Sequence, residues 1–78
     1  MTYIVKEEKG YNGTKPRYSV NQKLSDTNII DIKNRFKGKP YDYKDTRISY
    51  EMRYYDYDIF MQKFPIYYIY LEKVIRKI

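Results

Sequence analysis

The stretch Pro65-Ile66-Tyr67-Tyr68-Ile69-Tyr70-Leu71-Glu72-Lys73-Val74-Ile75-Arg76-Lys77-Ile78 decides the fold, because it is the most apolar part of the chain and admits two periods. At helical spacing Glu72, Lys73, Arg76 and Lys77 fall on one stripe with Tyr68. Tyr67, Tyr70, Leu71, Val74 and Ile78 then lie on the opposite side, and Pro65 sits near the first helical position, where its missing N–H is harmless. Against this, Ile-Tyr-Tyr-Ile-Tyr has strong strand propensity. The polar stripe favours the helix, which is the expectation here. Just upstream, Tyr57, Phe60, Met61 and Phe64 fit a further helix with Asp56 as its cap, ended or restarted by Pro65.

Working outward, residues 46–54 alternate strictly. Ile48, Tyr50, Met52 and Tyr54 share one face, and Arg47, Ser49, Glu51 and Arg53 share the other, as in a half-buried strand. Residues 41–45 before it read as a polar loop. Further upstream Ile29, Ile32, Lys33 and Phe36 follow the i, i+3, i+4, i+7 spacing of a helix. Ser25 or Asp26 supplies the cap, Gly38 the stop, and Pro40 follows. Lys33, Arg35 and Lys37 place cations at its C-terminal end, where the helix dipole favours them.

Residues 2–21 read as a hairpin, because Asn12-Gly13 tolerates the positive φ angles of a type I′ turn. Centring the turn there pairs Tyr11 with Thr14, Glu8 with Arg17 and Val5 with Val20, with Tyr3, Val5, Tyr18 and Val20 on one face. Pro16 makes the second strand an edge, or one entered after a bulge. The expected fold is therefore a small single α+β domain. It has an N-terminal β-hairpin, a central helix, a third antiparallel strand, and one or two C-terminal helices packed on the sheet.

Seventy-eight residues hold one such domain and no more. Cys, His, Trp and Ala are absent, while Tyr occurs 12 times. Without Cys or His there is no disulfide framework, zinc-thiolate site, thiol nucleophile or imidazole base. Twelve tyrosines exceed what so small a core can bury, so several are expected half-exposed, available to a partner or to a second copy of the chain. The excess of Ile, Lys, Tyr, Asn, Asp and Phe follows A/T-rich codons. A reading frame of this size starting at Met1 suits a phage or mobile element of a low-GC bacterium. Residues 1–10 lack the apolar run of a signal peptide, and residues 59–78 carry too many polar residues to span a bilayer. The expected location is the cytoplasm, of the host if the chain is phage-encoded, with no membrane partner.

The 16 Lys and Arg outnumber the 10 Asp and Glu, for a net charge of +6. Residues 1–39 hold nine of these cations and four of the anions, and Lys33, Arg35, Lys37 and Lys39 fall within seven residues. With Lys15 and Arg17 on the hairpin they are the expected nucleic-acid-binding residues, neutralising phosphates beside tyrosine rings that stack on bases. No zinc-finger, RRM or KH signature accompanies them. Residues 41–58 hold six Tyr and four Asp, a pattern suited to protein contact, and Tyr41, Tyr43 and Tyr55 are the expected partner-binding residues. The Asp spacing matches no calcium loop, and no metal or cofactor is expected.

These features point to non-enzymatic binding of DNA or RNA. The alternative is a small phage or mobile-element inhibitor, anti-CRISPR-like or another anti-host factor, that blocks a host protein handling nucleic acid. A metal-free ribonuclease toxin using Arg, Lys, Tyr and Glu is the remote alternative.

Overall fold

Tyr67, Ile69 and Leu71 are wholly buried, and their spacing of two is that of a strand. The computed structural model describes residues 1–75 and places these three on β5, Lys63–Val74. The remaining elements are β1 (Thr2–Gly10), β2 (Lys23–Leu24), the helix α1 (Asp26–Arg35), β3 (Tyr41–Asp45) and β4 (Ser49–Tyr57). The strands form one antiparallel sheet in the order β2-β1-β5-β4-β3. The expected α+β domain with C-terminal helices is thereby corrected: the described residues are mostly antiparallel sheet with one short helix.

The reason lies in the position of β5. It is the central strand, paired with β1 on one side and β4 on the other, and Tyr68 and Tyr70 on its second face are themselves half-buried. A strand with apolar residues on both faces shows no polar alternation to betray its period. Residues 76–78 of the expected helix, which include Arg76, Lys77 and Ile78, lie outside the described residues.

The helix expected over residues 57–64 is replaced by the end of β4, a turn over residues 58–62 and the start of β5. The Asp58 carboxylate accepts the amides of Phe60 and Gln62 at 2.8 and 2.9 Å, and Met61 takes a positive φ of 60°. Asp58 thus closes an Asx-type turn. Asp56 caps nothing: it accepts from the amide of Tyr57 and pairs with Lys39. Residues 41–45, expected as a loop, form β3. All five are exposed because β3 is an edge strand, and only its cross-strand register with residues 50–54 of β4 marks it as sheet.

The Asn12-Gly13 turn is present, with both φ angles positive (53° and 89°) and a Thr14 N–H to Tyr11 carbonyl bond of 3.0 Å. The strand expected after it is not. β1 instead meets the chain at residues 21–24: the Asn21 amide donates to the Val5 carbonyl, the Val5 amide to the Gln22 carbonyl, and Tyr3 pairs with Leu24. Val20, expected inside opposite Val5, is 65% exposed. Pro16 has no N–H for a ladder, and the Glu8 carboxylate binds the amides that β1 would otherwise have paired. Glu8 accepts from Arg17 N at 3.0 Å and from Tyr18 N at 2.7 Å, in place of the expected cross-strand pairing of Glu8 with Arg17.

α1 lies on one face of the sheet. Ser25 precedes it, its amide held by Asn28 Oδ1 at 2.9 Å, and the stripe Ile29, Ile32 and Phe36 is buried. Tyr3, Val5, Leu24, Met52, Tyr54, Ile66, Tyr67, Ile69 and Leu71 complete the core. A bulge at Lys6, which has no cross-strand partner, shifts the phase of β1 so that Glu8 lies opposite Ile69 on this inner face. The other face of the sheet carries no covering element among the described residues. No described helix is long and apolar enough to cross a membrane.

Candidate nucleic-acid interface

The C-terminal turn of α1 and the edge strand β3 meet over Tyr54. Phe36, the last buried residue of the helix stripe, stacks on Tyr54 with ring centroids 4.8 Å apart and on Tyr67 at 4.7 Å. This clamp fixes the helix end against the sheet. Gly38, at a positive φ of 83°, then turns the chain back into β3.

Tyr41 and Tyr43 share the helix-side face of β3, because they lie two residues apart on a strand. Tyr41 stacks on Tyr54 at 5.5 Å and on Tyr43 at 6.1 Å, with interplanar angles of 30° and 28°. The helix does not reach this far, so Tyr41 is 55% and Tyr43 60% exposed. A row of rings therefore runs from the buried Tyr54 out to the open edge. Desolvation pushes the Tyr54 hydroxyl up to about 12, so it stays protonated at neutral pH.

Beside this row is a shallow cleft of about 120 Å³ lined by Lys33, Lys37, Lys39, Phe36, Gly38, Tyr41 and Tyr54. Three of the six expected phosphate-binding residues and one of the expected contact tyrosines are thus brought together. Lys33 also lies 5.9 Å from the Tyr50 ring centroid. Lys39 is held at 3.0 Å by Asp56, whose carboxyl that ammonium draws below the usual carboxylate range. Lys33 and Lys37 form no ion pair among the described residues.

Arg35 behaves differently from its neighbours. Its guanidinium lies over the Phe36 and Tyr67 rings at 4.9 and 5.5 Å, and Nη2 donates to the Lys15 carbonyl at 2.8 Å. It is a fastener between the helix and the Asn12-Gly13 loop. It brings Lys15 to the helix end, while Arg17 stays anchored through its amide to Glu8.

Tyr55 is separated from the other two contact tyrosines. It is on the opposite face of the sheet, its hydroxyl donating to Asp42 Oδ2 at 2.9 Å and its ring beneath Lys63 Nζ at 4.9 Å. That face has its own array. Arg53 lies over Tyr68 at 4.9 Å, and the Tyr68 hydroxyl, its pKa raised by burial and by this bond, donates to Glu51 at 2.6 Å. The alternation of residues 46–54 assigns Arg53 and Glu51 to this face, but only the strand identity of β5 brings Tyr68 to them. Tyr54, the floor of the cleft, is assigned to the inner face by the same alternation. Its contact with Tyr41 was missed because residues 41–45 read as a loop, although Tyr41 and Tyr43 are already spaced by two.

The four aspartates of the tyrosine-rich stretch are each engaged: Asp42 by Tyr55, Asp45 by Lys73, Asp56 by Lys39, and Asp58 by its own turn. No group of three or more carboxylates among the described residues is placed to hold a metal ion. Comparison with protein-family models, with curated proteins and with solved structures finds no match to this chain.

Proposed function

We propose that this protein binds single-stranded nucleic acid, acting by binding and not by catalysis, at the surface where α1 ends on β3. The observation that carries the reading is the convergence of Lys33, Lys37 and Lys39 on a cleft bordered by Tyr41, with Tyr43 exposed beside it. Aromatic rings stack on any unpaired base, and cations alongside them neutralise the phosphates between bases. A duplex hides its bases from such rings, so an unpaired strand suits the surface better. The helix lies on the sheet with its apolar stripe buried, which leaves no free recognition helix for a groove among the described residues. A cytoplasmic setting goes with this reading.

The test is fluorescence anisotropy of labelled single- and double-stranded DNA and RNA at about 50 and about 200 mM salt. The expected result is binding to single strands that weakens with salt and is lost in a Lys33→Glu, Lys37→Glu variant. Equal affinity of that variant and the parent, or no binding at low salt, would overturn the proposal. The exposed rings would then be assigned to a protein partner.

A further inference from the structure

We infer that the protein pairs with a second copy of itself through β3, joining two five-stranded sheets into one. Three observations combine to give this. The first is that β3 is the terminal strand of the sheet order, paired among the described residues only with β4.

The second is the direction of its backbone groups. The Pro40 carbonyl accepts from the Tyr55 amide at 2.9 Å, and the Thr46 amide donates to the Ser49 carbonyl at 2.9 Å. In an antiparallel ladder, hydrogen-bonded residues recur every second position. Asp42 and Lys44 therefore direct their N–H and C=O groups toward β4. Tyr41, Tyr43 and Asp45 direct theirs to the open edge, where no described strand receives them.

The third is charge. An antiparallel partner must place these three outward residues opposite three equivalent ones. Centred on Tyr43, a two-fold axis sets Tyr43 against its own counterpart, and Tyr41 and Asp45 against the second copy's Asp45 and Tyr41. Each of these pairs exchanges two N–H···O bonds. Asp42 then lies opposite the second copy's Lys44, and Lys44 opposite its Asp42, both in the closely spaced non-hydrogen-bonded positions where side chains meet.

Sliding the register by two residues either way puts Asp42 against Asp42 or Lys44 against Lys44, which is repulsive. Charges on an edge strand ordinarily discourage pairing. Here their spacing permits one register with one partner, a copy of the same strand. Lys44 has no ion-pair partner among the described residues, and Asp42 uses only Oδ2 on Tyr55. The axis stands perpendicular to the sheet, so both helices stay on one face and Tyr41 and Tyr43 of the two copies form a continuous row. The inference does not rest on nucleic-acid binding and is tested without it.

The experiment is sedimentation velocity on the protein and on two single variants, Asp42→Lys and Lys44→Asp, from about 5 to about 500 µM. The parent should move toward twice its 9.7 kDa mass with concentration. Each variant alone sets like charges opposite one another and should dimerise at least about tenfold more weakly. Mixed together, the two variants restore both opposite-charge pairs and should form a heterodimer. A parent that stays monomeric throughout overturns the inference. So does a dimer that neither variant weakens, or a mixture that fails to associate while both variants keep the parent's circular dichroism.

Discussion

The Tyr67 hydroxyl donates to Glu8 Oε2 at 2.5 Å, tying the central strand to the first. The same carboxylate receives the amides of Arg17 and Tyr18, so one side chain anchors β1, β5 and the loop after Asn12-Gly13. A buried donor stripped of its partner costs about 1–3 kcal/mol, more where a charge is involved. Glu8→Ala leaves the Tyr18 amide and the Tyr67 hydroxyl, both part-buried, without an acceptor, while the exposed Arg17 amide turns to water. It should destabilise the fold by about 2–3 kcal/mol in denaturant unfolding. Tyr67→Phe leaves the carboxylate with its two amides and should cost about half as much. The double variant should fall short of the sum, because both changes remove the same bond.

Alkaline pH should unfold the protein. The hydroxyls of Tyr54, Tyr67 and Tyr68 are raised above the ordinary 10.0, in each case mainly by burial, with bonds to Glu8 and Glu51 adding for the last two. Below about pH 10 folded and unfolded chains both keep these protons, and stability is intact. Above it the unfolded chain ionises first, so stability declines as pH rises toward the folded value, about 12 for Tyr54. Unfolding followed by circular dichroism should coincide with a cooperative rise of the tyrosinate absorption band. Tyr67→Phe should make that loss less steep.

Exposed and buried tyrosines of the aromatic row should separate binding from stability. Tyr43→Ala removes an exposed ring and should change stability by less than about 0.5 kcal/mol, yet weaken single-strand binding by about 1–3 kcal/mol. Tyr54→Ala, under the helix, should destabilise by about 3–5 kcal/mol. Reversing Lys37 to Glu should weaken binding uniformly across sequences and lower the salt slope by about 1.

Arg35 should behave as part of the scaffold. Arg35→Ala removes the guanidinium from the Phe36 and Tyr67 rings and from the Lys15 carbonyl, and should cost about 1–2 kcal/mol of stability. Arg35→Lys should recover little, because an ammonium cannot stack flat and reach the carbonyl together.

Two glycines should differ in kind. A Cβ at Gly10 would stand 1.9 Å from the Thr14 carbonyl oxygen, so Gly10→Ala must displace the backbone of the turn and should cost more than about 2 kcal/mol. At Gly13 a Cβ meets open space and only the positive φ resists, so Gly13→Ala should cost about 1 kcal/mol. Thermal melts of the two variants give the comparison.

What the sequence reveals follows from how one-sided each element is. α1 carries an apolar stripe against polar residues, and β4 alternates, so both are legible with their inward residues. β5 is apolar on two faces and β3 exposed on two, so neither shows a contrast, and period alone misassigns them. At the interface Lys33, Lys37 and Lys39 are legible as a cluster, because they fall within seven residues around the end of a short helix. That Tyr41 joins them and Tyr55 does not depends on strand parity in β3 and β4, which a loop assignment erases. Arg35 is indistinguishable from its neighbours in sequence, since its role comes from a ring contributed 32 residues later.

The pairing of β1 with β5 also governs how the chain reaches its native state. Thr2 lies beside Val74, so the central strand and one of its two neighbours come from opposite ends of the sequence. Their closure encloses nearly the whole chain, and such non-local pairing slows folding relative to helical domains of equal size, toward milliseconds to seconds. The β3–β4–β5 meander is the part that can assemble locally. β1, with the Glu8 anchor and the loop it holds, joins it only through contacts distant in sequence.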